Sequence, residues 1–301
     1  MTTWIETFAR AVENGATELD AVLAREEAVD KIRAVLEDTK TATVENDKGM
    51  ISLVLLLVFM RDRRGIDKLL SAESLDSFMK LAENGSWSSP LREEALKCMI
   101  NSVYSRPEFV SETLIVKGLG RLLLEILQFK HPNVSPLTDN LLDLKNKVIE
   151  VLMLLPESLL AAFIQQQQQE SVGLNDRSLV PVLDHLHSML LVVRVEKTRP
   201  LKEMLPTLIV CHNLVKTGGP DILTCFKKAI LPTQDTEASA GDRTKALFFK
   251  HLKFFLTCLD TDVRRYASEW LFLLCDENAK EYTHHTGVGN AIGLLRMKGL
   301  A

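Results

Sequence analysis

Apolar residues recur along this chain about every 3.6 positions, the spacing that lines one face of an α-helix. Between Glu18 and Leu36 they fall at Leu19, Val22, Leu23, Val29, Ile32, Val35 and Leu36, against a charged opposite face. Similar stripes run through residues 91–104, 109–129, 137–155, 179–195, 201–215, 244–259 and 263–275. Short breakers separate them: Glu83-Asn84-Gly85-Ser86, His131-Pro132-Asn133, Thr217-Gly218-Gly219-Pro220 and Pro232-Thr233-Gln234-Asp235. Neither the alternation of a half-buried strand nor a strand–helix–strand rhythm is present. The pattern predicts an all-α protein made of helix after helix.

Two segments add a repeat signature. Asp260-Thr-Asp-Val-Arg-Arg-Tyr-Ala-Ser-Glu-Trp-Leu-Phe-Leu-Leu follows a HEAT-like scheme of turn aspartate, Val-Arg, alanine and leucine. Asp262 is expected to cap the new helix by accepting from its exposed amides. Val263 should pack on the preceding helix, Ala267 should sit where two helices cross closely, and Leu271 and Leu274 should fill the layer between repeats. A second copy, Ser89-Pro-Leu-Arg-Glu-Glu-Ala-Leu-Lys-Cys-Met-Ile-Asn, places Pro90 in the first helical turn, where a missing N–H costs nothing. Arg92 and Arg264 lie 172 residues apart, about four periods of an armadillo/HEAT repeat of roughly 40–47 residues. The expected architecture is an armadillo/HEAT-like right-handed helical solenoid, with a plain helical bundle as the alternative. It would span residues 1–301 as one unit, with 1–48 as N-terminal capping helices and 276–301 as part of an incomplete C-terminal region. The polar stretch Gln234–Asp242 reads as a loop, and the run Gln165–Gln169 as the polar end of a helix or a solvated loop.

Composition narrows the function. The chain is 46% hydrophobic and 25% charged, enough to bury a sizeable core. A net charge of −4 supplies no global attraction to nucleic acid. The five cysteines, Cys98, Cys211, Cys225, Cys258 and Cys275, are odd in number and form no C-x-x-C pair. They read as buried free thiols in a reducing compartment. The longest apolar run, Met50 to Met60, has 11 residues, where a membrane-spanning helix needs about 20. With no secretory signal at the start, the expectation is a cytosolic protein.

Motifs for chemistry are scarce. His185 and His187 are two residues apart, so on a helix they point to different sides, and neither sits in an H-E-x-x-H frame. His284 and His285 lack cysteine or aspartate partners at ligand spacing. There is no G-x-S-x-G elbow and no phosphate-cradling loop. Gly287, Gly289 and Gly293 are superficially like a dinucleotide fingerprint, but the spacing is wrong and helices precede them, so they read as a turn opening a short helix. Nothing nominates a catalytic site or calls for a cofactor or metal, and the chain reads as a binding protein rather than an enzyme.

What remains is surface. Asn101 interrupts an apolar helix, either as a cap or tucked between repeats, or as an amide offered to a partner's backbone. Arg61, Arg63 and Arg64 follow the apolar Met50–Met60 run. They read as a solvated helix C-terminus favoured by the helix dipole, or as a clamp for carboxylates.

The stretch Leu256-Thr-Cys-Leu-Asp-Thr-Asp-Val-Arg-Arg-Tyr-Ala-Ser-Glu-Trp-Leu-Phe-Leu-Leu-Cys-Asp-Glu-Asn, followed by Tyr282-Thr-His-His-Thr-Gly-Val-Gly-Asn-Ala-Ile-Gly-Leu-Leu, resembles the synembryn family. Val288 stands where the family usually has tyrosine. Residues 201–232 look like the preceding family segment, and Met60-Arg-Asp-Arg and Ala95-Leu-Lys-Cys-Met-Ile-Asn are similar to its first repeats. The resemblance implies a cytosolic armadillo-like protein, able to gather at the cell cortex, that binds G-protein α subunits in their GDP-bound or nucleotide-free state as a chaperone and exchange factor. It implies a concave groove for the C-terminal helix of Gα, with Arg61 and Asn101 among the residues that hold it. A second groove arginine of the family falls here on Leu57. Between about Gly120 and Leu137 the chain passes to a segment resembling a much later part of the family, as though one or two repeats were absent.

Overall fold

The computed structural model describes residues 70–84, 90–129, 139–157, 159–160, 179–232 and 240–301. Among these residues every regular element is helical and there is no strand. The expected capping helices at 1–48, the apolar run Met50–Met60 and the glutamine run lie outside the described residues. The described residues group into two compact units, one holding 70–84, 90–123 and 154–156, the other holding the remainder.

In the first unit, α1 (Ala72–Asn84) packs on α2 (Pro90–Ser105), and both pack on α3 (Pro107–Val116). Leu75, Phe78 and Ala82 on α1 meet the apolar requirement of this core, with Ala95, Leu96 and Met99 on α2 and Val110 and Leu114 on α3. All of them are excluded from water. Ala82 and Ala95 are the small residues that let helix axes approach closely. Ion pairs tie the edges: Asp76 lies 2.8 Å from Lys80 and 3.3 Å from Lys117, and Arg121 lies 3.4 Å from Glu83.

The stripe read as continuous over 109–129 is two helices, α3 and α4 (Leu119–Gln128). Gly118 separates them with φ of +90°, a conformation that side-chain-bearing residues avoid. Periodicity alone missed this break because the apolar spacing happens to stay in phase across it.

The second unit contains α5 (Asp139–Leu154), α6 (Val180–Leu190), α7 (Leu205–Thr217), α8 (Gly219–Ile230), α9 (Ala240–Lys253), α10 (Thr261–Leu274), α11 (Ala279–Thr286) and α12 (Val288–Met297). The last residue of α5 falls with the first unit. His187 on α6 stacks on Phe248 of α9, and seven residues further along the chain Arg194 lies over Phe254. The two contacts advance together, so α6 and α9 run side by side in the same direction. Likewise α7 packs on α10, with His212 edge-on to Tyr266 at 5.8 Å. These contacts pair helices about 55–60 residues apart, which makes α6–α8 and α9–α11 successive helical triplets of an armadillo-like, all-α fold. The spacing exceeds the expected period; the polar stretch before α9 contributes to the excess.

The HEAT-like helix α10 occupies the middle of this unit. Val263, Ala267, Trp270, Leu271 and Leu274 are fully buried, as the signature requires. Trp270 meets Phe226 of α8 edge-on at 5.9 Å, and Phe272 meets Tyr282 of α11 at 5.5 Å. The cap is corrected by the structure. Asp260, not Asp262, precedes the helix in an extended conformation and accepts from the amides of Asp262 and Val263 at 3.1 and 3.0 Å. Asp262 already lies within the first turn, where, among the described residues, its carboxylate reaches only Arg265 at 3.3 Å. The two signature arginines also differ: Arg92 is buried, whereas Arg264 is exposed and donates to the Cys258 carbonyl at 3.1 Å.

Candidate functional site

Of the residues that the sequence singles out for partner binding, Asn101 falls on α2. Lys97, Asn101 and Tyr104 follow one another at spacings of four and three, so they share a face. The Lys97 ammonium sits 2.9 Å from Glu93 and 2.7 Å from Glu94. Burial pulls its pKa down, but the two carboxylates outweigh burial and hold it above the ordinary lysine value. Tyr104 is 69% exposed.

Asn101 lies inside the helix rather than at its end, which excludes a capping role. It is half-buried, and its carbonyl accepts the Ser105 hydroxyl at 2.8 Å. Among the described residues its side-chain amide has no hydrogen-bond partner. An amide offers both a donor and an acceptor, the complement of a peptide backbone. The face therefore presents a carboxylate-held cation, an available amide and an exposed ring. Arg61, Arg63, Arg64 and Leu57 lie outside the described residues, so the pairing of Arg61 with Asn101 rests on sequence alone.

In the second unit, the stacked rings of His187 and Phe248, 5.3 Å apart and nearly parallel, help line a cleft of about 200 Å³. Asp184, Ile230, Thr244 and Lys245 complete much of its wall. His185, two residues away, faces the other way as the helical spacing predicts: it is buried, and neither ring nitrogen has a hydrogen-bond partner. Burial, reinforced by the nearby Lys145 charge, lowers its pKa to about 3. The imidazole is thus neutral at ordinary pH and takes no part in proton transfer there.

The cysteines are free, and all but the half-buried Cys225 are buried. Burial pushes the Cys98 and Cys211 thiols far up and the Cys275 thiol to about 12, leaving no nucleophilic thiolate at these positions. No group of three or more His, Cys, Asp or Glu side chains gathers at metal-binding distance among the described residues. None of their helices is long and apolar enough to cross a membrane. Gly287 closes α11 and opens α12 with φ of +90°, the turn expected for the glycine cluster, and Val288 after it is exposed. The contact of His187 on α6 with Phe248 on α9, and that of Arg194 with Phe254 just beyond the two helices, were not legible in the sequence, because residues so far apart show no common spacing.

A family model described as "Guanine nucleotide exchange factor synembryn" matches residues 116–301. "Chaperone Ric-8A" of Mus musculus is 28% identical over 255 residues, covering 80% of this chain and 46% of the relative. The Rattus norvegicus protein of that name is 33% identical over 147 residues, covering 47% and 26%, and the Bos taurus protein is 36% identical over 110 residues, covering 36% and 20%. The chain thus spans less than half the length of the curated relatives it matches. With a match over residues 116–301 and a repeat architecture to accompany it, this chain belongs to the synembryn family.

Proposed function

We propose that this chain binds heterotrimeric G-protein α subunits, acting as a chaperone for them and as a non-receptor exchange factor that promotes GDP release. The observation that carries the reading is the family match over residues 116–301, together with relatives named as chaperones. The C-terminal helix of Gα is taken up in a groove to which Arg61 and Asn101 contribute. The Asn101 amide, without a hydrogen-bond partner among the described residues, stands beside the exposed Tyr104 and supports that role, since both can contact an incoming helix or extended tail. Exchange here needs no bond chemistry. A protein that binds the open, nucleotide-free conformation more tightly than the closed one shifts the population toward nucleotide release.

A second reading keeps the binding and drops the exchange, making the chain an armadillo-type peptide adaptor. It is favoured by Leu57, which stands where the family has a groove arginine. One pair of measurements separates the readings. Purified chain is captured on Gα with and without its C-terminal tail, and release of labelled GDP from Gα is followed in its presence. Tail-dependent capture with accelerated release supports the full proposal, and capture without acceleration supports the adaptor. Absence of capture, or capture indifferent to the tail, refutes both versions of the groove. Asn101→Asp should weaken capture by about tenfold, because it replaces the donor half of the amide with a charge.

A further inference from the structure

Helix α9 turns one face inward and another to solvent. Phe249 and Leu252 are buried, and Phe255 and Leu256 continue that face into the turn after the helix. Outward, Arg243, Leu247, Lys250 and Phe254 follow at spacings of three or four, forming one stripe. Leu247 is 55% exposed and Phe254 38%. Arg243 and Lys250 are exposed too, and neither enters an ion pair among the described residues. The stripe continues onto the segment that follows α6, because the Arg194 guanidinium lies 4.1 Å from the centre of the Phe254 ring. That contact brings in Val195, 47% exposed, and the exposed Lys197.

Charge on this face runs against that of the whole chain, which is −4. Between Asp242 and Asp260 the sequence carries Arg243, Lys245, Lys250 and Lys253, with His251, and no acidic residue. In the adjoining segment 191–198, Arg194 and Lys197 stand against Glu196, while the next residue, Arg199, is engaged by Asp143 and Glu203. Separate apolar side chains standing beside Arg243 and Lys250, which enter no ion pair among the described residues, match the interface of an anionic bilayer. There the apolar groups enter the headgroup boundary while the cations meet phosphates and carboxylates. An acidic helix would match the charge, but it needs a seat. The cleft of this unit is lined by His187, Phe248 and their neighbours, not by Leu247 or Phe254, which protrude.

We propose that the outer face of α9, with residues 194–197 after α6, is a docking surface for anionic phospholipid membranes. The proposal is independent of Gα binding and can hold or fail separately. The test is co-sedimentation of the full chain with vesicles of phosphatidylcholine alone and of phosphatidylcholine with 30% phosphatidylserine, at about 0.1 M salt. Binding is expected only to the phosphatidylserine vesicles and should weaken as salt rises. Arg243→Gln with Lys250→Gln should reduce the partition constant by roughly twenty- to thirtyfold, at about fivefold per lost cation. Leu247→Ser should reduce it severalfold with no change in charge. Lys80→Gln with Arg121→Gln removes as many charges from the first unit and should leave binding unchanged. Circular dichroism checks that each variant keeps its helices. Failure to bind phosphatidylserine vesicles, or equal losses in the two double variants, overturns the proposal. It is also overturned if the α9 variants lose Gα capture while the parent chain binds no vesicles, since the face would then serve a protein.

Discussion

Replacing Asp260 by alanine should cost the second unit about 1–2 kcal/mol, whereas the same change at Asp262 should cost less than about 0.5 kcal/mol. Asp260 stands just before α10 with φ −70° and ψ 115°, and one carboxylate oxygen accepts two backbone amides at 3.1 and 3.0 Å. An N-cap of this kind is worth about 1 kcal/mol, and a negative charge at the helix N-terminus adds roughly 0.3–1 kcal/mol. Val263, whose amide is one of the two, is also the first fully buried side chain of the helix, so fraying there would expose core. Asp262 contributes a single exposed pair with Arg265, their side chains 62% and 58% exposed, where screening leaves little. For a unit of this size each kcal/mol moves the midpoint by about 2–4 °C, so Asp260→Ala should melt roughly 3–6 °C lower and Asp262→Ala within about 2 °C of the parent. Asp260→Asn should recover most of the loss, since asparagine caps nearly as well. Thermal unfolding followed by circular dichroism, with urea midpoints alongside, reads all three. If Asp262→Ala destabilises as much as Asp260→Ala, or if Asn fails to rescue, the cap assignment is wrong.

Trp270→Ala should cost about 3–5 kcal/mol in urea unfolding, because the ring is fully buried against Phe226. Trp270→Phe should cost much less, about 1.5 kcal/mol or below, since the indole N–H has no partner to lose. At His185 the folded-state pKa of about 3 lies below the ordinary histidine value, so the unfolded chain takes up the proton first. Stability from this residue is therefore present above about pH 6.5 and falls by roughly 1.4 kcal/mol for each pH unit between there and about pH 3. His185→Leu should flatten that part of the stability–pH curve, and an unchanged slope would refute the assignment. With an aromatic disulfide reagent near pH 8, Cys225 should react first in the native protein, and Cys98 and Cys211 only as fast as the chain opens.

Helical class was legible from the chain because a helix repeats its surroundings every 3.6 residues, so one-sided burial imprints itself on sequence. The spacing of Val263, Ala267, Leu271 and Leu274 marked them as a packing face, and all four are buried. Of the five cysteines, expected to be buried within apolar helical patterns, four are buried and Cys225 is half-buried. The opposite fates of His185 and His187 also follow from helical spacing alone. Of the candidate site, the sequence located Asn101 on a helix, but only the fold placed it mid-helix, its amide without a partner among the described residues.

Other features depended on three-dimensional position. Whether Asp260 or Asp262 caps α10 turns on where the backbone enters the helix, and both residues satisfy the motif equally well as text. Arg92 and Arg264 occupy matching signature positions, yet one is buried and the other exposed, because their neighbours come from other helices. The stripe over 109–129 hid the break at Gly118, since composition does not reveal a sign of φ. The basic, apolar face of α9 became visible only when Arg194 was found against Phe254. Sequence determined what is periodic along one helix; tertiary structure decided which helices meet, and therefore which charges and rings share a surface.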